Sequence, residues 1–144
     1  MTTTSQQTSS AAQQFNWMLS QFASSTPAVV DAIAVSADGL LMAMSDQLHR
    51  EDADRMAAIT SALMSLSNGA GKVRDIGLPS RVIIDLERGY LLITAISIGS
   101  ALGVYATKAA NLGQLAYEMA TFANLASEVL TPALIEELKA TVGH

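Results

Sequence analysis

The chain has 144 residues, 50% of them hydrophobic and only 15% charged, with a formal net charge of −5. One domain of that length buries roughly 70% of its unfolded surface, yet so few charges cover a lone particle poorly, which points to association. The absence of any basic block argues against a nucleic-acid partner, and the absence of Cys removes disulfides, thiolate chemistry and Cys-ligated metal.

No basic region followed by an apolar run opens the sequence, so no secretory signal is read and a reducing cytoplasm is compatible. Residues 1–12 are polar and low in complexity, and read as a disordered tail. Phe15, Met18, Leu19 and Phe22 then fall at helical spacing, predicting a short helix that stops before Pro27. Trp17 reads as core or interface filler. From Val29 to Met44 the pattern is a β-hairpin, with Val29, Ile33 and Val35 on one parity and Asp38-Gly39 in the turn. Ser45 to Arg50 is a polar loop.

The central stretch runs from Glu51 to Ala70. Met56, Ile59, Leu63, Leu66 and Ala70 recur at steps of three and four, a narrow seam along one helix face. Beside it runs a row of small residues, Ala57, Ala58, Ser61, Ala62 and Ser65, that lets another backbone come close. Glu51, Asp52 and Asp54 suit the positive helix end, and Asn68-Gly69 marks the other. The spacing fits two arrangements: sheet on one face and partner on the other, or a small-residue helix deep in a monomer core.

Ser80 to Glu87 reads as a third strand, with Val82, Ile84 and Leu86 on one face and Ile83 on the other. Arg88-Gly89 turns the chain into a fourth, Tyr90 to Ile96, and Gly99-Ser100 into a fifth, Ala101 to Thr107. Residues 89–107 are uncharged, nearly the ~20 residues of a spanning helix. Gly99-Ser100 and the β-branched residues around it favour a buried hairpin instead. Asn111 caps a helix whose stripe is Leu112, Leu115, Met119, Phe122, Ala126 and Val129, and Thr131-Pro132 opens a last one lined by Ile135, Leu138 and Val142. The sum is an α+β layer around one five-stranded antiparallel sheet, in the order helix, two strands, helix, three strands, helix, with a short helix appended.

No constellation for catalysis emerges, so the chain does not read as an enzyme, and neither cofactor nor metal is implied. Gly69-Ala70-Gly71-Lys72 imitates part of a phosphate loop, but Leu66 and Val73 stand where that loop needs Gly and Ser or Thr. His49 and His144 are the only histidines, one in a loop and one at the C-terminus. Glu51-Asp52 and Glu136-Glu137 are adjacent pairs whose side chains diverge on a helix.

The blocks AVSADGLLMAMS (34–45) and VIIDLERGYLLITAISIGSALGVYATKAANLGQLAYEMA (82–120), with the Ala- and Ser-rich helix between them, resemble the roadblock/dynein light chain family. Within it the closer likeness is to the roadblock-type proteins of actinobacterial conservon operons, whose C-terminal extension TPALIEEL (131–138) is similar to. The likeness implies a roadblock/profilin-like fold with a tail over 1–12, a roadblock domain over 13–130 and a helical extension over 131–144. It implies a homodimer in which third strands pair across a two-fold axis with the central helices beside each other. Interface residues would then be Met56, Ile59, Leu63, Leu66, Val82, Ile83 and Ile84.

The family's bacterial members act on Ras-like small GTPases as scaffolds or activators, and the conservon neighbours include such a GTPase, a sensor-kinase-like membrane protein and a further small protein. Arg50 and Arg55, at the entry of the central helix, are the candidate GTPase contacts, as an arginine finger or merely as solvated cations balancing nearby carboxylates. The reading is a cytoplasmic regulator that reaches the membrane through protein partners and without direct insertion. Its alternatives are a small-molecule sensor domain, or an adaptor in a membrane-associated sensor-kinase complex with no GTPase-activating activity.

Overall fold

Ser9 opens the first element: its hydroxyl accepts the Ala12 amide, and helix α1 runs Ser10–Ser25 in the computed structural model, which describes residues 9–142. The helix thus begins inside the stretch expected to be a tail, because Ala12 extends the row Phe15, Leu19, Phe22 by one turn and is fully buried. Residues 1–8 of that tail lie outside the described residues. Trp17 projects from the side of the row and is exposed, so it fills no core of this chain.

The remaining elements are β1 (Val29–Ser36), β2 (Leu41–Met44), α2 (Arg50–Val73), β3 (Val82–Leu86), β4 (Gly89–Ser97), β5 (Ser100–Thr107), α3 (Leu112–Ser127) and α4 (Pro132–Thr141). They build one five-stranded sheet in the order β2-β1-β5-β4-β3, with every neighbouring pair antiparallel. Residues 89–107, which a hydropathy window would flag, are the β4–β5 hairpin, and no helix among the described residues is long and apolar enough to cross a membrane. Its turn is Ile98-Gly99 and that of β3–β4 is Glu87-Arg88, each one residue earlier than expected.

The sheet is covered unequally. Helices α1, α3 and α4 lie over one face, on Ala32, Ala34, Met42, Leu92, Leu102 and Val104. Phe122 holds α3 to α1 there, with ring centroids 6.2 Å from Phe15 and 5.4 Å from Phe22. Over the other face lies α2, on Ile33, Val35, Leu41, Leu91, Ile93 and Ala101. Val29 does not share the face of Ile33 and Val35 as its parity predicted: a register shift between Val29 and Asp31 turns it toward the α1 layer. The expected caps form, Asn111 accepting the Gln114 amide at 2.9 Å and Thr131 the Leu134 amide at 3.0 Å.

Three polar ties hold α4 down besides the buried Leu134 and Leu138. The Glu137 carboxylate accepts the Ser9 amide at 2.7 Å and its hydroxyl at 2.8 Å, Arg50 Nη1 donates to the Val142 carbonyl at 2.8 Å, and Lys139 Nζ reaches Asp38 at 3.1 Å. The Ser36 hydroxyl and then Lys139 hold the Asp38 carboxyl below its ordinary 3.8. A depressed folded pKa stabilises fully above the unfolded value and is lost as pH falls through the folded one. Thermal melts between about pH 5 and pH 3 should therefore show an acid-linked loss of stability that Asp38→Asn reduces.

Candidate interaction surface

A helix turns through 3.6 residues per cycle, so burial along α2 maps its faces. Ala53, Met56, Ala57, Thr60 and Gly71 are buried and define the side that lies on the sheet. The helix does not end at Asn68-Gly69; it continues to Val73, because Gly71 packs so closely against the chain reversal at Gly77 that a Cβ would fall on the Gly77 carbonyl oxygen. Small size at Gly71 thus serves close approach, not termination.

The expected seam lies on the shoulder between that side and solvent, and the structure divides it. Met56 is 8% exposed and packs in the chain's own core, so it offers a partner little surface. Leu63 is half-buried, whereas Ile59 is 47% and Leu66 71% exposed, with Ala70 and Val73 open beyond them. On the opposite shoulder Ser61 donates to the Ala37 carbonyl at 3.2 Å and Arg50 to Val142. Those ties point toward the β1–β2 turn and α4, so the seam faces the other way, toward the β3 edge. Of the small-residue row, Ala57 lies on the sheet, Ser61 is tied to the turn, and Ala58, Ala62 and Ser65 are exposed.

Strand β3 pairs with β4 on one side and forms the edge of the sheet on the other. Val82 and Ile84 are half-buried under α2, Ile83 faces the opposite layer at 41% exposure, and Leu86 is exposed. An edge with this apolar content and free main-chain groups is a template for another strand. Val73, Ile76 and Leu78, which lead from α2 toward it, are also exposed. Val73 could have been found from the sequence, since it continues the seam three residues past Ala70.

Neither arginine is free of internal partners. Arg50 Nε lies 3.0 Å from Asp54 while its Nη1 serves Val142, and Arg55 lies 3.5 Å from Asp52. A hollow of about 380 Å³ between α2 and the sheet end is lined by Ser36, Ser61, Ser65, Ser97, Ser100 and Asn68 among apolar residues. The hydroxyls of Ser36, Ser61, Ser97 and Ser100 are engaged in bonds within the chain, which leaves Ser65 and Asn68 at its polar rim. Gly69-Ala70-Gly71-Lys72 is helix interior, not a loop opening one; His49 sits exposed at the α2 N-terminus, and His144 lies outside the described residues.

The profile of the Roadblock/LC7 domain family matches residues 15–106. A solved Roadblock/LC7 domain from Streptomyces avermitilis is 32% identical, covering 76% of this chain and 92% of its own, with a TM-score of 0.71. The MglB structure from Myxococcus xanthus shares the fold at 14% identity, covering 81% of this chain and 94% of its own, with a TM-score of 0.74. A Schizosaccharomyces pombe profilin shares it at 13% identity over 81% and 99%, with a TM-score of 0.60. No curated protein matches. With the family profile spanning helix α1 to strand β5 and a relative of this identity superposing on the same sheet, the chain belongs to the Roadblock/LC7 domain family.

Proposed function

We propose that this chain is a homodimeric, non-catalytic regulator that binds a Ras-like small GTPase. The observation that carries the reading is the joint exposure of the β3 edge and the Ile59–Leu66–Val73 shoulder of α2 on one flank of the sheet. Two copies joined there form one continuous sheet with paired helices above it, and neither copy alone offers that platform. The GTPase role is what the resemblance to the family's bacterial members implies, and the fold shared with MglB is compatible with it. A conservon-type setting, with a sensor-kinase-like membrane protein and a further small protein nearby, follows from the same resemblance. So does a cytoplasmic location next to the membrane.

The test is co-purification with a Ras-like small GTPase from the same organism, loaded with GDP or with a GTP analogue, followed by GTP turnover. Retention of one nucleotide form supports the proposal; no retention of either removes it. Arg50 already holds Asp54 and the Val142 carbonyl, so any stimulation of turnover should survive both Arg50→Ala and Arg55→Ala. Loss of stimulation with the dimer intact would make one of them an arginine finger instead.

A further inference from the structure

We propose that Asp52 and Arg74, at the two ends of the α2 seam, set the register of the paired helices and restrict pairing to copies that carry this same charge pattern. The inference rests on the dimer proposed above and adds what selects the partner within it.

The seam positions Asp52, Met56, Ile59, Leu63, Leu66, Ala70 and Val73 follow one another at steps of three and four. Arg74 caps the helix directly behind them. The stretch from Asp52 to Arg74 is centred on Leu63, so a two-fold axis there lays the helices antiparallel with Leu63 against itself. Residues equally far from that centre then meet. Asp52 comes opposite the partner's Arg74 and Met56 opposite the partner's Ala70, while Ile59 and the partner's Leu66, four and three residues from the centre, flank Leu63. Met56 is turned into its own core and contributes little at its crossing with Ala70, so the match rests on Leu63 at the centre and on opposite charge at both ends.

Other arrangements lose this match. Parallel helices bring Asp52 beside the partner's Asp52, while an antiparallel pair slid by one turn sets Arg74 against an apolar residue and leaves Asp52 without a counter-charge. Among the described residues Arg74 makes no ion pair within its own chain, and the contact of Asp52 with Arg55 is a long 3.5 Å between exposed side chains. Both ends are therefore available. Opposite charges across a helix seam steer partner choice more than they add affinity, because the wrong pairing places like charges together twice over.

The experiment compares Asp52→Arg, Arg74→Glu and the double variant by analytical ultracentrifugation at low and at high salt. Each single variant should weaken the dimer about tenfold at low salt, and the double variant should restore it. Mixing the two single variants should yield heterodimers in preference to either homodimer, since both ends are then matched. A native dimer that ignores both reversals and shows no heterodimer bias overturns this assignment and leaves the proposed dimer standing. A native chain that sediments as a monomer overturns the dimer itself.

Discussion

Leu66→Asp is expected to convert the proposed dimer to folded monomers at micromolar concentration. Leu66 is 71% exposed in the single chain, so a carboxylate there has water around it and the monomer's own stability should move by about 0.5 kcal/mol or less. In the proposed dimer the same carboxylate enters a dry seam without a counter-charge, twice per dimer by symmetry. Removing each such charge from water costs about 3 kcal/mol or more, so the two together raise the dissociation constant by roughly ten-thousandfold. Sedimentation and thermal melting together check this: loss of the dimer with an unchanged dilute-limit melting temperature is the expected pair of results. Met56→Asp is the internal control. It places the charge in the chain's own core, so it should unfold the monomer rather than release it. A Leu66→Asp protein that remains dimeric means that another surface joins the copies.

The second large effect lies under the middle of α2. Gly103 sits on β5, between β1 and β4, and the helix comes down on it at Thr60. A Cβ at Gly103 would stand 2.9 Å from Thr60 Oγ1 and 3.4 Å from both Thr60 Cγ2 and Ile33 Cγ1. The Thr60 hydroxyl is itself buried with no hydrogen-bond partner among the described residues. Gly103→Ala should therefore push the helix off the sheet and cost about 1–3 kcal/mol by denaturant unfolding. Thr60→Ala gives up a buried methyl, but it also removes an orphan hydroxyl whose burial costs about 1–3 kcal/mol, so alone it should be close to neutral. The double variant moves the methyl from helix to strand within the same space and should recover most of the Gly103→Ala loss. Additive effects of the two changes would show that the helix does not rest on this glycine.

These two sites differ in how far the sequence foretells them. Leu66 belongs to a periodic row, and a row needs only its own neighbours in the chain to be recognised. Gly103 gives no local signal, because its role is set by a threonine forty-odd positions earlier that reaches it only after the sheet and helix have packed. The same holds for Gly71. Beside Gly69 it reads as a helix stop, yet the helix passes through it, since the chain reverses at Gly77 and needs the space. Val29 likewise carries the parity of Ile33 and Val35 and loses their company to a register shift that no spacing announces.

What the amino-acid order determined by itself was the run of elements, the Asn111 and Thr131 caps, the buried β4–β5 hairpin and the seam along α2. Each of these follows from chemistry among residues a few positions apart: periodicity of apolar side chains, a hydroxyl or amide within reach of the next amides, a glycine where the chain must turn. Only the tertiary structure decided that β5 lies against β1, that β3 is left at an edge, and that Met56 turns inward while Leu66 stays out. Those outcomes depend on which distant surfaces meet. A helix row carries no mark of which of its shoulders will lie over a sheet edge until the sheet has chosen its order.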